Sequence, residues 1–386
     1  MYSLSDYLWM IADGARASAY AAALRACVRP GDRVLEVGTG FGFFAVIAAQ
    51  SGAAHVDAVD TNPAIHLGPR VAAANGCADR ITFHHRDIST VTLAEPADVL
   101  LIDVRGPTPF GVRSLETVIG TRDRLLARGG RIIARADRVV VAPARTPAAV
   151  RREVHAAHGR EGIDLAPVER VIFDTPVRCP VAAEDVLADG ECWTTLDYGT
   201  IGSTGASGPV TWAFDRATTV DGLAVWFEAD LADGVSFSTR PGGSVSAYRQ
   251  MFIPFRDAVP IDAGDRLHVA LSAHQVRESY LWSWRGWRVP AGSSDRQLVV
   301  DQNSLAEIVL DPSALLHTSP DAVPSLGPRG AALSDLLLRI DGKRTIEALA
   351  AGLLEDQPGA FASRDSAREF VAAWIGRLDR IERGND

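Results

Sequence analysis

The sequence lacks the marks of several classes of protein. It has only four cysteines in 386 residues, and none belongs to a Cys-x-x-Cys pair, so we expect neither a disulfide framework nor a bound metal. No apolar run reaches the roughly 18 residues that a membrane-spanning helix requires. Residues 1–6 have neither the basic start nor the apolar stretch of a secretory signal. These absences predict a cytoplasmic protein that does not bind a membrane.

Positive charge is also scarce. The formal net charge is -9 at pH 7, and Lys343 is the single lysine. Nucleic-acid affinity rests largely on neutralising phosphates with Lys and Arg, so nucleic acid is not an expected partner. All other basic residues are arginine in an alanine-rich chain, a composition that indicates codon bias. We therefore give the abundance of arginine no functional weight.

The length of the chain predicts two or three domains, because it exceeds what one ordinary hydrophobic core accommodates. In residues 1–148, short β-branched runs alternate with helical segments, which indicates an α/β fold with a mostly parallel, doubly wound sheet. Residues 149–312 contain short apolar runs broken by Gly, Pro and Asp, which is typical of an antiparallel β-barrel or sandwich. The proline-rich stretch 311–328 is predicted to be a linker. Residues 326–386 show helical spacing of apolar residues, which predicts a small helical domain.

A glycine-rich turn follows the first predicted strand. The run 33–37 contains Glu36 and leads into Gly38-Thr39-Gly40-Phe41-Gly42 before a helix, and such a turn lets the backbone pass close to a ligand. A dinucleotide fingerprint that starts at Gly38 would need its third glycine at Phe43, so that interpretation fails. A Walker phosphate loop fails as well, because no Gly-Lys-Ser/Thr follows.

Acidic residues follow the next two predicted strands. Asp60 ends the second strand, and Asp87 comes directly after the third. Together with the turn, this order resembles the class I S-adenosylmethionine-dependent methyltransferases. The resemblance implies that the turn holds the amino-acid half of S-adenosylmethionine, that Asp60 accepts hydrogen bonds from both ribose hydroxyls, and that Asp87 meets the adenine amino group. A helix or turn cap is the alternative for Asp87.

The segment before the turn, Met10–Tyr20, has the pattern Met-x-x-Asp-x-x-Arg-x-x-x-Tyr. It resembles the N-terminal helix of the protein arginine methyltransferases, which implies that Arg16 contacts the carboxylate of the cofactor. A surface helix with a charged face is the alternative. The residues expected to bind the cofactor are Arg16, Glu36, Gly38, Thr39, Gly40, Gly42, Asp60, Thr61, Asp87 and Ile88.

The β-rich half resembles the barrel of the same family. Its runs 220–228, 236–241, 248–254 and 264–265 follow the order of the family's barrel motifs. The segment 155–177 stands where that family inserts a dimerisation arm, so the resemblance implies a homodimer.

The expected acceptor side departs from that family. The arginine enzymes hold a substrate guanidinium between two glutamates, but the loop after the fourth predicted strand offers Asp103 at the first place and Val112 near the second. The family's Thr-His-Trp loop stands here as Ser246-Ala247-Tyr248, without its imidazole. The two-carboxylate clamp is therefore missing.

The catalytic candidates are Asp103, Arg105 and Tyr248. Asp103 follows an apolar strand at the edge where ligands bind in such sheets, although it could instead form a salt bridge with Arg16 or Arg105. One carboxylate could orient an imidazole, amide or amine nitrogen as well as an arginine. If Arg105 points into the pocket, it favours an anionic acceptor such as a peptide carboxylate.

Aromatic residues supply the substrate-binding candidates. Trp282 and Trp284 alternate along one predicted strand, and Tyr2 and Tyr7 lie on the N-terminal segment. Such rings can form a wall for a cation or a peptide. The alternative is that they are ordinary core residues.

The run 331–350 predicts a helix, an Asp-Gly turn and a second helix capped by Thr345. It resembles the small winged-helix domains that bind leader peptides in ribosomal peptide natural-product pathways, which recognise an extended peptide by strand addition. No clear strand pair is evident here, and a helical cap on the barrel is the alternative.

Together these patterns predict an S-adenosylmethionine-dependent methyltransferase that modifies a side chain of a peptide or protein. The acceptor is expected to be arginine or another nitrogen, and a ribosomally synthesised natural-product precursor is one candidate substrate. A small-molecule or carboxylate O-methyltransferase and a non-catalytic binding module are the alternatives.

Overall fold

The structure is a computed structural model that describes residues 2–157, 160–165, 168, 171–243, 247–307, 321, 323, 325–357 and 359–378. The chain divides into two compact units, Met1–Ile308 and Val309–Asp386. The first unit contains both the predicted parallel sheet and the predicted barrel. The finer boundaries at residues 148, 312 and 326 stay predictions.

Two helices open the chain, α1 (Leu4–Ala12) and α2 (Gly14–Cys27). Ser3 and Asp6 form a capping box that starts α1, and Asp13 starts α2 by accepting a hydrogen bond from the backbone N–H of Arg16. Asp13 is also the residue that ends α1, and its backbone is not helical (φ -66°, ψ 86°), so the chain changes direction at this residue. No residue of α1 is buried, whereas α2 buries one side against the core.

A five-stranded parallel sheet follows, in the order β3-β2-β1-β4-β5. Its strands are β1 (Arg33–Val37), β2 (His55–Asp60), β3 (Ile81–His85), β4 (Ala97–Ile102) and β5 (Leu126–Ile133). Helices α3 (Phe43–Gln50), α4 (Gly68–Ala74) and α5 (Ser114–Leu125) connect them. The prediction of a doubly wound α/β sheet is confirmed. The strand order reverses between β1 and β4, which places the expected ligand crevice at the carboxyl ends of these strands.

The barrel half consists of two antiparallel sheets, in the orders β7-β12-β10-β6-β8, with β11 beside β10, and β15-β14-β13-β9. Its strands are β6 (Ala136–Ala144), β7 (Val177–Cys179), β8 (Glu191–Asp197), β9 (Ala206–Ala213), β10 (Thr218–Ala232), β11 (Val235–Ser238), β12 (Gln250–Ile261), β13 (Arg266–Val276), β14 (Ser279–Val289) and β15 (Gln297–Asn303), and helix α6 spans Ala148–Ala157. Only residues 134 and 135 separate β5 from β6. One continuous apolar core joins the parallel sheet to both antiparallel sheets, from Leu35 and Leu100 to Phe227 and Trp284.

The second unit contains three helices, α7 (Pro328–Arg339), α8 (Ile346–Asp356) and α9 (Arg364–Leu378). Thr345 caps α8 as predicted, because its hydroxyl accepts a hydrogen bond from the N–H of Ala348. Leu336, Leu353 and Val371 lie in its small core. The part of this unit that the structure describes has no strand, so the winged-helix resemblance stays a prediction. Most of the predicted linker, residues 311–320, lies outside the described residues.

Within the described ranges, no helix is both long enough and apolar enough to cross a membrane.

Candidate active site

The carboxyl ends of three neighbouring strands bring three acidic residues to one edge of the parallel sheet. Glu36 lies near the end of β1, Asp60 ends β2, and Asp103 follows β4 directly. The pairing of β1 with both β2 and β4 fixes this arrangement. The sequence-based prediction that these residues share one region agrees with their placement.

Two adjoining cavities open at this edge. Both are lined by Gly38, Asp60 and Val112. One has a volume of about 540 Å³ and is also lined by Asp87, and we call it the Asp87 cavity. The other has a volume of about 610 Å³ and is also lined by Asp103, and we call it the Asp103 cavity. The shared lining makes the two cavities parts of one cleft.

The glycine-rich turn needs glycine for conformation and for space. Gly38, Gly40 and Gly42 have φ values of 81°, 58° and 88°, in the left-handed region that other residues rarely adopt. A Cβ atom on Gly40 would lie 2.6 Å from the ring of Tyr7. The glycines therefore carry no Cβ atoms where the backbone of the turn passes close to α1 and the cleft.

Asp60 is held by three neutral donors. Its Oδ2 accepts hydrogen bonds from the N–H of Gly40 at 2.7 Å and from the hydroxyl of Tyr7 at 3.4 Å. Its Oδ1 accepts one from the N–H of Asn62 at 2.7 Å. Burial, together with the charge of Asp60, raises the pKa of Tyr7, so this phenol keeps its proton. Asp60 can exchange its hydroxyl partner for another without breaking an ion pair.

Glu36 is almost fully buried. Its Oε2 accepts a hydrogen bond from the hydroxyl of Thr39 at 2.8 Å, which ties β1 to the turn. Burial raises the pKa of Glu36 to about 7. This carboxyl is therefore partly protonated at neutral pH, unlike an exposed glutamate.

Asp103 is surrounded by positive charge. Its Oδ2 accepts hydrogen bonds from Nε and Nη2 of Arg16, at 3.0 and 2.6 Å, and from the hydroxyl of Tyr248. Its Oδ1 accepts one from Nη1 of Arg105 at 3.1 Å. Burial alone would raise the pKa of Asp103, but the two guanidinium groups outweigh it and lower that pKa. Asp103 is a permanently ionised carboxylate with four donors.

Arg105 also bonds to Tyr20 and to Asp137, and the sequence had not indicated a role for Asp137 or for its partner Tyr198. Nε of Arg105 donates to Oδ2 of Asp137 at 2.5 Å, and its Nη1 also donates to the hydroxyl of Tyr20. Asp137 lies on β6, is 0% exposed, and also accepts a hydrogen bond from Tyr198 at 2.6 Å. The sequence did carry one signal, an acidic residue at the start of an apolar strand.

The charged network continues to α2. Arg16 bonds to Asp103 and also donates from Nη1 to the carbonyl of Met10 at 3.3 Å. Asp13 accepts a hydrogen bond at 2.8 Å from the N–H of Ala247, in the loop before β12. Ser246, the first residue of the expected counterpart of the Thr-His-Trp loop, lies outside the described residues. The network thus joins α2, the parallel sheet and the barrel.

Asp87 and Ile88 line the Asp87 cavity, as does Thr61. Oδ1 of Asp87 accepts hydrogen bonds from the N–H and the hydroxyl of Ser89, at 2.8 and 2.6 Å. This contact is the cap that was the alternative interpretation of Asp87. Both of these hydrogen bonds use Oδ1, so the cap does not engage Oδ2 of the same carboxylate.

The four aromatic candidates lie in different places. Tyr2 and Tyr7 line the Asp103 cavity, with their rings in an edge contact. Trp282 and Trp284 are buried among core residues and line neither cavity. The row on β14 is therefore barrel core in this structure, and its role in substrate binding stays a prediction.

Val112 lies at the mouth of both cavities and is 73% exposed. It places an apolar side chain where the family resemblance led us to expect a second carboxylate. Among the residues described, no group of three or more His, Cys, Asp or Glu side chains is arranged to hold a metal ion.

Comparisons with known proteins agree with this geometry. A family model described as ribosomal protein L11 methyltransferase (PrmA) matches residues 20–104. The chain is 28% identical over 298 residues to the probable histone-arginine methyltransferase CARM1 of Oryza sativa subsp. indica, an alignment that covers 72% of this chain and 56% of the rice protein. It is 26% identical to the arginine N(omega)-methyltransferase of Streptomyces achromogenes subsp. streptozoticus, over 68% of this chain and 74% of that protein. The chain thus spans little more than half the length of the rice relative.

Solved structures show the same fold. Protein arginine methyltransferase 10 of Arabidopsis thaliana superimposes with a TM-score of 0.68 and 19% identity, over 78% of this chain and 98% of that one. The Trypanosoma brucei PRMT1 enzyme-prozyme heterotetrameric complex with AdoHcy gives a TM-score of 0.68 and 20% identity, over 77% and 96%. By sequence and fold, the chain is protein arginine methyltransferase-like and has the class I S-adenosylmethionine-dependent methyltransferase architecture.

Proposed function

We propose that this chain is an S-adenosylmethionine-dependent methyltransferase that modifies a side chain of a peptide or protein. The observation that carries the proposal is Asp60, a carboxylate whose hydrogen-bond donors among the described residues are all neutral and which lies beside the turn Gly38–Gly42. A carboxylate in this state can accept two hydroxyl groups of a ribose. The similarity to arginine methyltransferases supports the same function.

The residues of the cleft fit the parts of the cofactor. Asp60 and Thr61 lie where the two cavities meet and would hold the ribose, and Asp87 and Ile88 would hold the adenine. The turn would hold the amino-acid half through Gly38 and Thr39, which line the Asp103 cavity. Glu36 lines neither cavity and would act through its hydrogen bond with the hydroxyl of Thr39. When bound, S-adenosylmethionine supplies a methyl group on a positively charged sulfur, which is already an activated donor.

Arg16 is suited to the carboxylate of the cofactor. A guanidinium has five N–H donors, and the hydrogen bonds of Arg16 to Asp103, Tyr248 and Met10 engage three of them. Two N–H groups remain for a second carboxylate. Arg16 can therefore bind the cofactor while it still holds Asp103.

The test is the loss of cofactor binding in Asp60→Ala. We expect the Kd for S-adenosylhomocysteine, measured by calorimetry, to rise at least about a hundredfold, because charge-assisted hydrogen bonds to the ribose are lost. Asp79→Ala, an exposed acidic position outside the cleft, is the control and should leave the Kd unchanged. Equal affinity in the wild-type chain and Asp60→Ala would contradict the proposal.

We further propose that the C-terminal unit recruits the peptide, and that a ribosomally synthesised precursor is a substrate. Its surface supports this, since Leu337, Leu338, Ile340 and Ile346 are exposed, with Leu338 at 85%. Exposed apolar side chains this close together in the sequence can form an apolar patch, and such patches are common at docking sites. Leu338→Asp should raise the KM for the peptide at least tenfold, while the exposed Leu305→Asp in the first unit should not. An unchanged KM in Leu338→Asp would favour a small-molecule substrate.

A homodimer is also proposed, through the segment 155–177. Ile163, Val168 and Ile172 are exposed in its described part, which supports burial against a second copy. Ile163→Asp combined with Ile172→Asp should convert a dimer to a monomer in light scattering. A wild-type chain that is monomeric at micromolar concentration would contradict this proposal.

A further inference from the structure

The described residues that line the Asp103 cavity include two carboxylates, Asp60 and Asp103. Asp60 belongs to the cofactor in the proposed function, so Asp103 is the carboxylate left for the methyl acceptor. An ionised carboxylate has about four lone-pair sites. Asp103 already accepts four hydrogen bonds from Arg16, Tyr248 and Arg105. A substrate guanidinium, which binds a carboxylate through two parallel bonds, finds no vacant pair of sites on it.

Arg105 cannot give up its place easily. Its side chain is 4% exposed, and it holds Asp137, which has no exposed surface. If Arg105 moved away from Asp103, Asp137 would be left buried without its cation, which is strongly unfavourable. Arg105 therefore occupies Asp103 permanently and stands as a positive charge beside the acceptor side of the cavity.

Proton transfer leads to the same conclusion. Arginine and lysine side chains carry a proton at neutral pH, and a nitrogen must have a lone pair before it can accept a methyl group. The two arginines lower the pKa of Asp103, which makes it a weak base. Burial raises the pKa of Tyr248 well above its usual range, so its phenol keeps its proton. Among the described residues that line this cavity there is no histidine.

Val112 adds no charge that could compensate for this. It is the exposed side chain at the mouth of the cleft and is apolar. Two further carboxylates line the Asp87 cavity: Asp87, which belongs to the adenine in the proposed function, and Glu116, which forms an ion pair with Arg113. Among the described residues that line the Asp103 cavity, the acceptor side thus offers no unoccupied anion to a cationic substrate.

We infer that the methyl acceptor is an atom with a ready lone pair and no positive charge, either a carboxylate oxygen or an unprotonated imidazole nitrogen, and that Arg105 determines this specificity. The inference rests on the proposed function and narrows its acceptor. It departs from the arginine acceptor that the sequence resemblance suggested.

The chemistry balances without a base for a carboxylate. The lone pair of the acceptor oxygen forms the bond to the methyl carbon, while the pair of the breaking carbon–sulfur bond goes to sulfur. A negative carboxylate and a positive sulfonium become a neutral methyl ester and neutral S-adenosylhomocysteine. For an imidazole the product is a methylimidazolium, which loses its ring proton to water afterwards. In both cases the chain has only to position the acceptor.

The test identifies the methylated atom from the labelled product itself. The purified full chain is incubated with methyl-labelled S-adenosylmethionine and a heat-treated protein extract of the organism that encodes it, with Asp60→Ala as the blank. Mild alkali releases label in methyl esters as volatile methanol, and amino-acid analysis separates methylhistidine from methylarginine and methyllysine. We expect label in methanol or methylhistidine to exceed label in methylarginine and methyllysine at least tenfold. Methylarginine or methyllysine as the main product would overturn the inference.

Two variants test the role of Arg105. Arg105→Met combined with Asp137→Asn removes the donor on Oδ1 of Asp103 without leaving a buried charge at position 137. Val112→Glu adds a carboxylate at an exposed position, and Val112→Gln is its matched control. The double variant should raise the share of label in methylarginine at least fivefold over the wild-type chain. Val112→Glu should raise that share at least fivefold over Val112→Gln. An unchanged product distribution in both would overturn the role of Arg105.

These outcomes are distinct from a failure of the proposed function. If the wild-type chain neither binds S-adenosylhomocysteine nor transfers label above the Asp60→Ala blank, the proposed function fails, and the inference fails with it. If it binds the cofactor and labels arginine, only the acceptor inference fails.

Discussion

Asp60 and Asp103 occupy equivalent places on either side of β1, yet their surroundings are opposite. Asp60 is bonded by two backbone N–H groups and one hydroxyl, all uncharged. Asp103 is bonded by two guanidinium groups and one hydroxyl. The negative charge of Asp60 is therefore available to a ligand, while that of Asp103 is neutralised within the chain. One strand end is built to exchange partners and the other is built to stay fixed.

The largest expected effect on stability comes from removing Arg105, which bonds to Asp103. Arg105→Met should lower the free energy of unfolding by about 3–5 kcal/mol, because breaking a buried ion pair leaves Asp137 unpaired. Asp60→Asn should lower it by about 1 kcal/mol or less, since its partners are neutral. Chemical denaturation measures both. Similar losses in the two variants would remove the contrast between the two strand ends.

Glu36 lies on β1 between the two aspartates and is buried with no cation among its hydrogen-bond partners. Its pKa rises from 4.5 to about 7 in the folded chain. The folded state therefore binds more protons than the unfolded state between these values, so the stability contributed by Glu36 is present below pH 4.5 and is lost as the pH rises toward 7. The loss amounts to about 3 kcal/mol.

Denaturation of the wild-type chain and of Glu36→Gln across this pH range measures that contribution. The stability difference between them should change by this amount in favour of the variant as the pH rises. A constant difference would show that Glu36 titrates like an exposed residue.

A substitution at Gly40 tests whether the turn and Tyr7 must keep their positions around Asp60 for the cofactor to bind. In Gly40→Ala the new Cβ would meet the ring of Tyr7, whereas Gly76 has a similar φ of 68° and open space around its Cβ position. Both variants acquire left-handed strain of about 1 kcal/mol. Gly40→Ala should also raise the Kd for S-adenosylhomocysteine about tenfold by displacing Tyr7 and the turn. If Gly76→Ala weakens binding equally, the effect is general strain.

The smallest expected effect is at Asp87. Asp87→Asn keeps an oxygen that can cap Ser89 but replaces the second oxygen by a donor, which repels the adenine amino group. If Asp87 binds adenine, the Kd for S-adenosylhomocysteine should rise about fivefold in this variant, in line with the loss of one exposed hydrogen bond. Asp87→Ala, which also loses the cap, serves for comparison. An effect in Asp87→Ala alone would leave the residue as a cap.

The surroundings of Asp60 could be predicted from the sequence because they depend on residues that are close together in the chain. The turn at Gly38–Gly42 and the position of Asp60 follow from a strand, a helix and a strand in succession. The parallel sheet could also be predicted, because the alternation of β-branched runs with helical segments is a local pattern. The salt bridges of Asp103 with Arg16 and Arg105 were foreseen only as an alternative to a direct role with substrate.

The surroundings of Asp103 and Arg105 depend on contacts between distant parts of the chain. Asp137 and Tyr198 meet Arg105 only because β6 and the residue after β8 fold onto the parallel sheet. Trp284 is buried because it shares one core with residues of the parallel sheet and of both antiparallel sheets. Such pairings leave little trace in local spacing, since any acidic residue at a strand start fits the same pattern.

The short connection between β5 and β6 limits how this scaffold can be recombined. β6 pairs with β10 on one side and β8 on the other, so an interior strand of a barrel sheet is encoded immediately after the parallel sheet. A barrel taken from another protein would have to be joined at residues 134 and 135 so that it brings its own counterpart of β6. It would also need its own counterpart of Asp137, because the anchor of Arg105 would leave with the old barrel. Replacing the barrel therefore also replaces the residue that anchors Arg105 beside the acceptor side. The turn Gly38–Gly42 lies outside the barrel and would be kept in every such chimera.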